Sequence, residues 1–403
     1  MAASTGLPLE KWVRAVRLSS AVSAALLSAL IVTGCGSPPT AIAEVEDTDM
    51  IDVVALSADQ QVDAPEAAPL TIVDLDTVRQ LTGAASPNAT DRRWNVHGTD
   101  LGHMFRHKDD LYMVFGDTYG PDGGDWRSNT IARMADPDPA GGFAIANMIE
   151  GADGTAKEVI RSAKIPGVEW TVIPTNGVSL GERMVLHYMS VRMWGADDKW
   201  YVRRSGLAYS DDDGQNWTRS DTAVWPAGSG FEQVAYVKHD DMIYIFGIPQ
   251  GRFGGVRLGR VVPQDVFDPG AYTYWDGQRW STDIRAARDV VAAPAGELSV
   301  AWNAQHRAWL MMYLDPVKRA IVLRSAASLT GPWSDPQVVA HADSYPGLYA
   351  PYIVPTSAAD DAIYFTMSRW KPVYNVFLMK GRVQALAADR AEAEPVALEP
   401  SGD

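Results

Sequence analysis

Five times along the chain a short polar turn leads into an apolar run. Asp109-Asp110 precedes residues 111–116, Gly181-Glu182-Arg183 precedes 184–188, and Asp240-Asp241 precedes 242–247. Gln305-His306-Arg307 precedes 308–313, and Asp360-Asp361 precedes 362–367. The runs are rich in aromatic and β-branched side chains. Four of the turns also follow an apolar stretch, over 173–180, 234–237, 298–302 and 352–354. Strand, polar turn, strand is the signature of a β-hairpin. The runs do not alternate strictly between apolar and polar, so both faces of each sheet are expected to be covered. Repeats about 55 to 70 residues apart predict an all-β, five-bladed β-propeller with one small sheet per blade. A two-domain β-sandwich is the structural alternative.

The ends of the chain follow other rules. Lys11, Arg14 and Arg17 precede an apolar or small stretch over 18–32, and Val32-Thr33-Gly34 then leads into Cys35. A basic segment, a short apolar segment and small residues at a cleavage point describe a secretory signal. About 15 apolar residues are short for a spanning helix of roughly 20. The cysteine at the cleavage point resembles a bacterial lipobox, which implies cleavage before Cys35, its lipidation, and anchoring at the outer face of the plasma membrane. Cys35 is the only cysteine, so neither an intrachain disulfide nor a catalytic thiol is available. The segment after it is rich in Ala, Pro, Ser, Asp and Glu and too polar to bury a core. The expected organisation is a signal peptide over 1–34, a linker over 35–69, a propeller over 70–385 and a tail over 386–403.

Charge narrows the partners. The chain has 35 basic and 50 acidic residues. Losing residues 1–34 removes three basic residues and one acidic residue and leaves a charge of −17. So acidic an exported protein is a poor binder of nucleic acid but accepts neutral ligands. Fourteen Trp and fifteen Tyr supply flat apolar faces with a polar handle, which serve β-cores and sugar clefts alike.

In a propeller the innermost strand of each blade begins at one mouth of the central channel. Residues equidistant from a hairpin turn are cross-strand partners. On that arithmetic Asp100 pairs with Asp117 in the first blade and Glu297 with Asp315 in the fourth. Thr175 and Asn176 take the equivalent place in the second blade and Glu232 in the third. In the fifth, Tyr349 does so, opposite Arg369 and Trp370. Two carboxylates on one face raise each other's pKa. Carboxylates among aromatics and amides suit glycoside hydrolysis, in which one protonates the leaving oxygen and the other activates water or attacks the anomeric carbon.

The segment Thr99-Asp100-Leu101-Gly102, followed by residues 111–120 with Gly116-Asp117-Thr118, resembles the signature of the endo-D-arabinanase family of glycoside hydrolases. That family, formerly catalogued as a domain of unknown function, is common in mycobacteria and their relatives. The resemblance spans roughly residues 70–385 and implies a five-bladed propeller. It also implies cleavage of internal α-D-arabinofuranosyl linkages of arabinogalactan and lipoarabinomannan, with Asp100 and Asp117 as the catalytic carboxylates. Asn176, Glu232, Glu297, Tyr349, Arg369 and Trp370 are then expected to line the substrate site. No cofactor is expected, and the protein is expected to be a monomer, bound to the membrane through its lipid alone. The rivals are a glycan-binding propeller without catalysis and a glycosidase for another furanose polymer.

Other motifs carry less. Ser210, Asp212, Gly214 and Trp217 fit the turn pattern S-x-D-x-G-x-x-W, read as a folding element. Residues 330–334 resemble an inter-strand turn of five-bladed glycosidases. His103 and His107 have a helical ligand spacing, but on a strand four residues span about 13 Å, so no metal site is expected. Asp211-Asp212-Asp213-Gly214 resembles half a calcium loop without the downstream Glu. His187 reads as a hydrogen-bonded core residue.

Overall fold

A computed structural model describes residues 69–386, apart from 197–198 and 356–360. The expected signal peptide, Cys35, the expected linker up to residue 68 and the expected tail beyond 386 lie outside the described residues.

Strand β1 (Leu70–Gln80) is followed by a one-turn helix, α1 (Thr90–Trp94). Blade one is β2 (Leu101–His107), β3 (Asp110–Phe115), β4 (Thr130–Asp136) and β5 (Ala144–Met148). Blade two is β6 (Thr171–Leu180), β7 (Arg183–Trp194), β8 (Trp200–Ser210) and β9 (Thr218–Pro226). Blade three is β10 (Gln233–His239), β11 (Met242–Ile248) and β12 (Gly254–Val261), extended by β13 (Thr273–Trp275) and β14 (Trp280–Ser281), with β15 (Asp289–Ala295) also paired to β12. Blade four is β16 (Leu298–Asn303), β17 (Ala308–Asp315), β18 (Ala320–Ala326) and β19 (Gln337–His341). Blade five takes β20 (Leu348–Ile353), β21 (Ala362–Arg369) and β22 (Asn375–Ala385), and its outermost strand is β1 from the other end of the chain. The chain is a five-bladed β-propeller, closed into a ring by this β1–β22 pairing, Leu70 opposite Ala385.

The packing explains the continuous apolar runs. Each of the five large core clusters draws from two neighbouring blades: Leu310 and Met312 of blade four meet Phe365 and Met379 of blade five, and Val114 and Ile131 of blade one meet Leu186 and Ala208 of blade two. A strand pressed between two sheets buries both faces, and removing roughly 25 cal/mol of free energy per Å² of apolar surface on each drives the stacking. The innermost strands β2, β6, β10, β16 and β20 contact one another in a ring. Because each blade is an antiparallel meander, all five begin at one end, the mouth. Their hairpin turns lie at the other, the base.

The S-x-D-x-G-x-x-W segment is the β8–β9 turn at the base. Gly214 N donates to Ser210 Oγ (3.0 Å), Asn216 N to Asp212 Oδ1 (2.8 Å) and Trp217 Nε1 to Gly214 O (2.9 Å). It is a folding element, as expected. The flanking acids face cations: Asp211 holds Arg183 at 2.6 and 2.7 Å, and Asp213 holds Lys108 at 2.7 Å.

Candidate active site

Asp100 ends the segment that enters β2. Its neighbours have an uncommon backbone: Leu101 has φ 68° and Gly102 φ 79°. A left-handed leucine is strained, and blade five holds it. Leu101 N donates to Ser368 Oγ (2.8 Å), and Thr366 Oγ1 donates to Gly102 O (3.0 Å). The result is a β-bulge between Leu101 and His103, which re-aims the side chain before it. Beyond the bulge the register slips by one. Asp100 stands opposite Gly116, whose N–H donates to Asp100 O (3.2 Å), and not opposite Asp117 as the turn arithmetic predicts. Glycine is required at 116 because any Cβ would collide with Asp100 Oδ1.

Tyr349, at the start of β20, donates its hydroxyl to Asp100 Oδ2 at 2.9 Å, and Tyr374 lies beside the same carboxyl. Oδ1 is buried without a partner. Burial, reinforced by the charge of Asp117 and more weakly by Glu297, pushes the Asp100 pKa up to about 7. Asp117 follows β3 and is 8% exposed. Its Oδ1 accepts from Trp126 Nε1 (2.8 Å) and Thr171 Oγ1 (2.7 Å). Burial raises its pKa to about 6. The two donors and the charge of Lys164 oppose the rise. Lys164 sits with Nζ 3.6 Å from the centroid of the Trp126 ring and 3.3 Å from Glu158. Two neighbouring carboxylates are thus displaced to different extents, the pattern that separates a proton donor from an ionised partner.

Blades three and four close the far side. Arg252, in the β11–β12 connection, holds Glu297 with Nη2 2.7 Å from Oε1. Its guanidinium also lies 5.2 Å from the centre of the Tyr349 ring and 5.4 Å from that of Trp200.

Residues 85–380 match the family model described as "Domain of unknown function (DUF4185)". The chain belongs to this family. Among relatives, the chain is 29% identical over 328 residues to "Notoamide biosynthesis cluster protein J" of Aspergillus sp. (strain MF297-2), across 74% of this chain and 86% of that one. Among solved structures it aligns with a putative hydrolase from Bacteroides ovatus at TM-score 0.53 and 14% identity, over 73% of this chain and 88% of the other. It also aligns with an exo-β-1,3-galactanase from Phanerochaete chrysosporium at TM-score 0.48 and 10% identity, over 77% and 64%. The likeness to the Bacteroides ovatus protein is one of fold.

The mouth gathers Asp100, Asp117, Tyr349 and Glu297, but not every expected residue. Glu297 faces Arg252 and stands opposite Leu314, which donates its N–H to Glu297 O (3.3 Å). Asp315 instead caps the β17–β18 turn, accepting from Val317 N (2.9 Å) and Lys318 N (2.8 Å). Glu232 is fully buried and serves its own loop, taking the N–H groups of Gly228 and Gly230. Asn176 is not at a strand start, because β6 begins at Thr171. Asn176 is buried, pairs with His187 and accepts from Gly177 N (2.8 Å). Arg369 stands opposite Leu348, while Tyr349 faces Ser368. Arg369 lies over Phe377 at 5.2 Å, and Trp370 is exposed beyond it.

His187 is a core residue bonded to Thr175 Oγ1 (2.7 Å), as expected. His107 sits between Ser179 (2.7 Å) and Asp213 (3.2 Å) at the base. The sequence reading missed Thr171, Trp126, Tyr374, Lys164 and Arg252. For Thr171 a signal existed: it lies two residues before the apolar stretch that begins at 173, close to the start of the innermost strand of its blade.

Proposed function

We propose that this protein is a glycoside hydrolase that cuts internal α-D-arabinofuranosyl linkages of D-arabinan, held at the outer face of the plasma membrane through lipidated Cys35. One observation carries the hydrolase reading. Asp100 and Asp117 lie buried at one mouth, among Tyr349, Tyr374 and Trp126, with pKa values of about 7 and about 6. The blade-one signature supports the D-arabinan substrate, and the Val-Thr-Gly-Cys35 segment supports the location.

In this mechanism Asp100 is the acid. Its Oδ1 is buried and unpartnered, so the carboxyl keeps its proton until the glycosidic oxygen arrives to accept it. Asp117 is the ionised partner, because the charge of Lys164 favours its anion, as do the two donors on its Oδ1, whereas no cation opposes the rise at Asp100. It removes a proton from the attacking water or attacks the anomeric carbon itself. In the first case the C–O bond breaks as water adds, the Asp100 proton leaves on the alcohol product, and Asp117 ends protonated. In the second, water later releases the sugar from Asp117.

The test is digestion of purified arabinogalactan by the wild type, Asp100→Asn and Asp117→Asn, with chromatography of the products from pH 4 to 9. Arabinose oligosaccharides are expected from the wild type. The rate should peak between about pH 6 and 7, where Asp100 is protonated and Asp117 is not. Either substitution is expected to lower it on the order of a thousandfold.

A second reading follows from the Aspergillus relative, whose name ties that protein to notoamide biosynthesis and not to a polysaccharide. The same mouth then serves another ligand, with or without cleavage. Retention of arabinogalactan without products would leave a glycan-binding propeller. Neither retention nor products would remove D-arabinan altogether.

A further inference from the structure

The β7–β8 hairpin rises at the mouth end of blade two, and alternation sorts its aromatic residues. Trp194 pairs with Trp200, and Met193 with Tyr201. Directly paired residues share a face, so the two tryptophans lie on one side of the hairpin, with Met193 and Tyr201 on the other. Trp200 is 5% exposed, and Trp194 stands edge-on to it at 5.8 Å and 65°, itself 40% exposed.

The tryptophan face is joined to the carboxylate site. Trp200 packs in a small apolar cluster with Ile173, Met189, Val191 and Val202, against which Leu101 also packs. Leu101 is the residue after Asp100. From the other side Arg252 lies over the Trp200 ring and also over Tyr349, whose hydroxyl holds Asp100. The next residue, Phe253, is 48% exposed. Its connection is tied to the hairpin by Val202 N, which donates to Gln250 Oε1 at 2.8 Å.

Two facts on this rim call for an occupant. Large apolar side chains exposed together mark an interaction site. The indole N–H of Trp200 is buried with no acceptor, and an unmade buried hydrogen bond is costly. A flat apolar face beside an unsatisfied donor matches a sugar ring, with its C–H face for stacking and hydroxyl oxygens to accept. We propose that this rim, with Trp194 and Phe253 around Trp200, is a binding subsite for a neutral saccharide chain, holding the polymer beyond the residues at the Asp100–Asp117 pair. The proposal deepens the glycosidase reading and rests on it for the identity of the chain. Continuity with the carboxylate site favours a saccharide over a protein partner or a second copy.

The experiment measures binding of arabinogalactan to the purified protein carrying Asp117→Asn, so that cleavage does not intervene. Added to that background are Trp194→Ala, Phe253→Ala or, as a control on the opposite face of the same hairpin, Tyr201→Ala. Oligomeric state is read on the same samples. Trp194→Ala and Phe253→Ala are each expected to weaken binding on the order of tenfold, the weight of one lost ring contact, with Tyr201→Ala unchanged. Equal affinity in all variants overturns the subsite and leaves the hydrolase reading intact if wild type still releases oligosaccharides. Equal weakening by all three overturns it as a general effect on the hairpin. A change of oligomeric state with no loss of glycan binding assigns the rim to a second copy instead. If the background protein does not retain the polymer at all, the saccharide assignment is overturned, and wild-type product release then says separately whether the hydrolase reading stands.

Discussion

The mouth and the base of this propeller use carboxylates in opposite ways. At the mouth, Asp100 and Asp117 are drawn in among Tyr349, Tyr374, Trp126 and Thr171, and burial lifts both above the ordinary carboxylate range. At the base, Asp211 and Asp213 stand in solvent against Arg183 and Lys108, whose hydrogen bonds, and then their charges, hold them below it. Apolar residues divide the same way. Of the twelve large apolar side chains exposed among the described residues, nine lie in or beside mouth connections, Trp194, Phe253 and Trp370 among them. The base presents hairpin turns of Asp, Glu, Lys and Gly. One end is suited to water, and the other holds buried carboxyls with raised pKa values beside exposed apolar faces.

That contrast is most sharply broken by stability. A carboxyl whose pKa is raised on folding lends stability below its unfolded pKa of 3.8 and loses it as pH rises through the folded value. For Asp100 the window is therefore about pH 4 to 7. Asp100→Asn removes that loss. Its thermal midpoint at pH 8 is expected to exceed that of wild type, by a free energy on the order of a few kcal/mol at most, although the same change is expected to cost hydrolysis on the order of a thousandfold. Calorimetry across pH 4 to 8 reads this directly, and a lower midpoint at pH 8 would show that the Asp100 charge is compensated in the fold. His103 and His187 act on the acid side. Burial takes both to a pKa of about 3, so their contribution is present above pH 6.5 and is lost as pH falls toward 3.

Tyr349→Phe should have an intermediate effect. It removes the hydroxyl that stabilises ionised Asp100, so the Asp100 pKa should climb further. The alkaline limb of the pH–rate profile is then expected to move up by about one unit, with kcat/KM near pH 6 falling roughly tenfold as the acid loses its orientation. An unmoved limb would assign that limb to another group.

The smallest effect belongs to the base. Lys108→Met breaks contacts with Asp213 (2.7 Å) and Glu182 (3.1 Å), all solvent-exposed. Such pairs contribute within about 1 kcal/mol and are screened by salt. Hydrolysis should be unchanged, and any loss in thermal midpoint should vanish at high salt. A drop in kcat would mean that the base is coupled to the mouth.

Much of this was legible residue by residue. The five polar turns are local signals, and each run of apolar residues after them is a strand buried on both faces. Asp100, Asp117 and Tyr349 were placed at one mouth by counting from those turns. The count failed at Leu101-Gly102, where an inserted bulge shifts the partner of Asp100 from Asp117 to Gly116. The hydroxyls that hold the bulge come from Thr366 and Ser368, more than 260 residues away in sequence. Counting failed again for Asn176, because the apolar stretch from 173 hid the true start of β6 at Thr171. Glu232 looked like a site acid and is a loop cap, a use of carboxylates that sequence does not separate from catalysis.

By itself, then, the sequence determined the number of blades, their order and the end at which the acids gather, because hairpins are specified by residues close together in the chain. Which acids are buried, which are neutralised by Arg252 or Lys164, and which tryptophan remains exposed were decided only in the tertiary structure. Burial and charge at a site depend on neighbours brought from every blade, and no local pattern records who those neighbours will be.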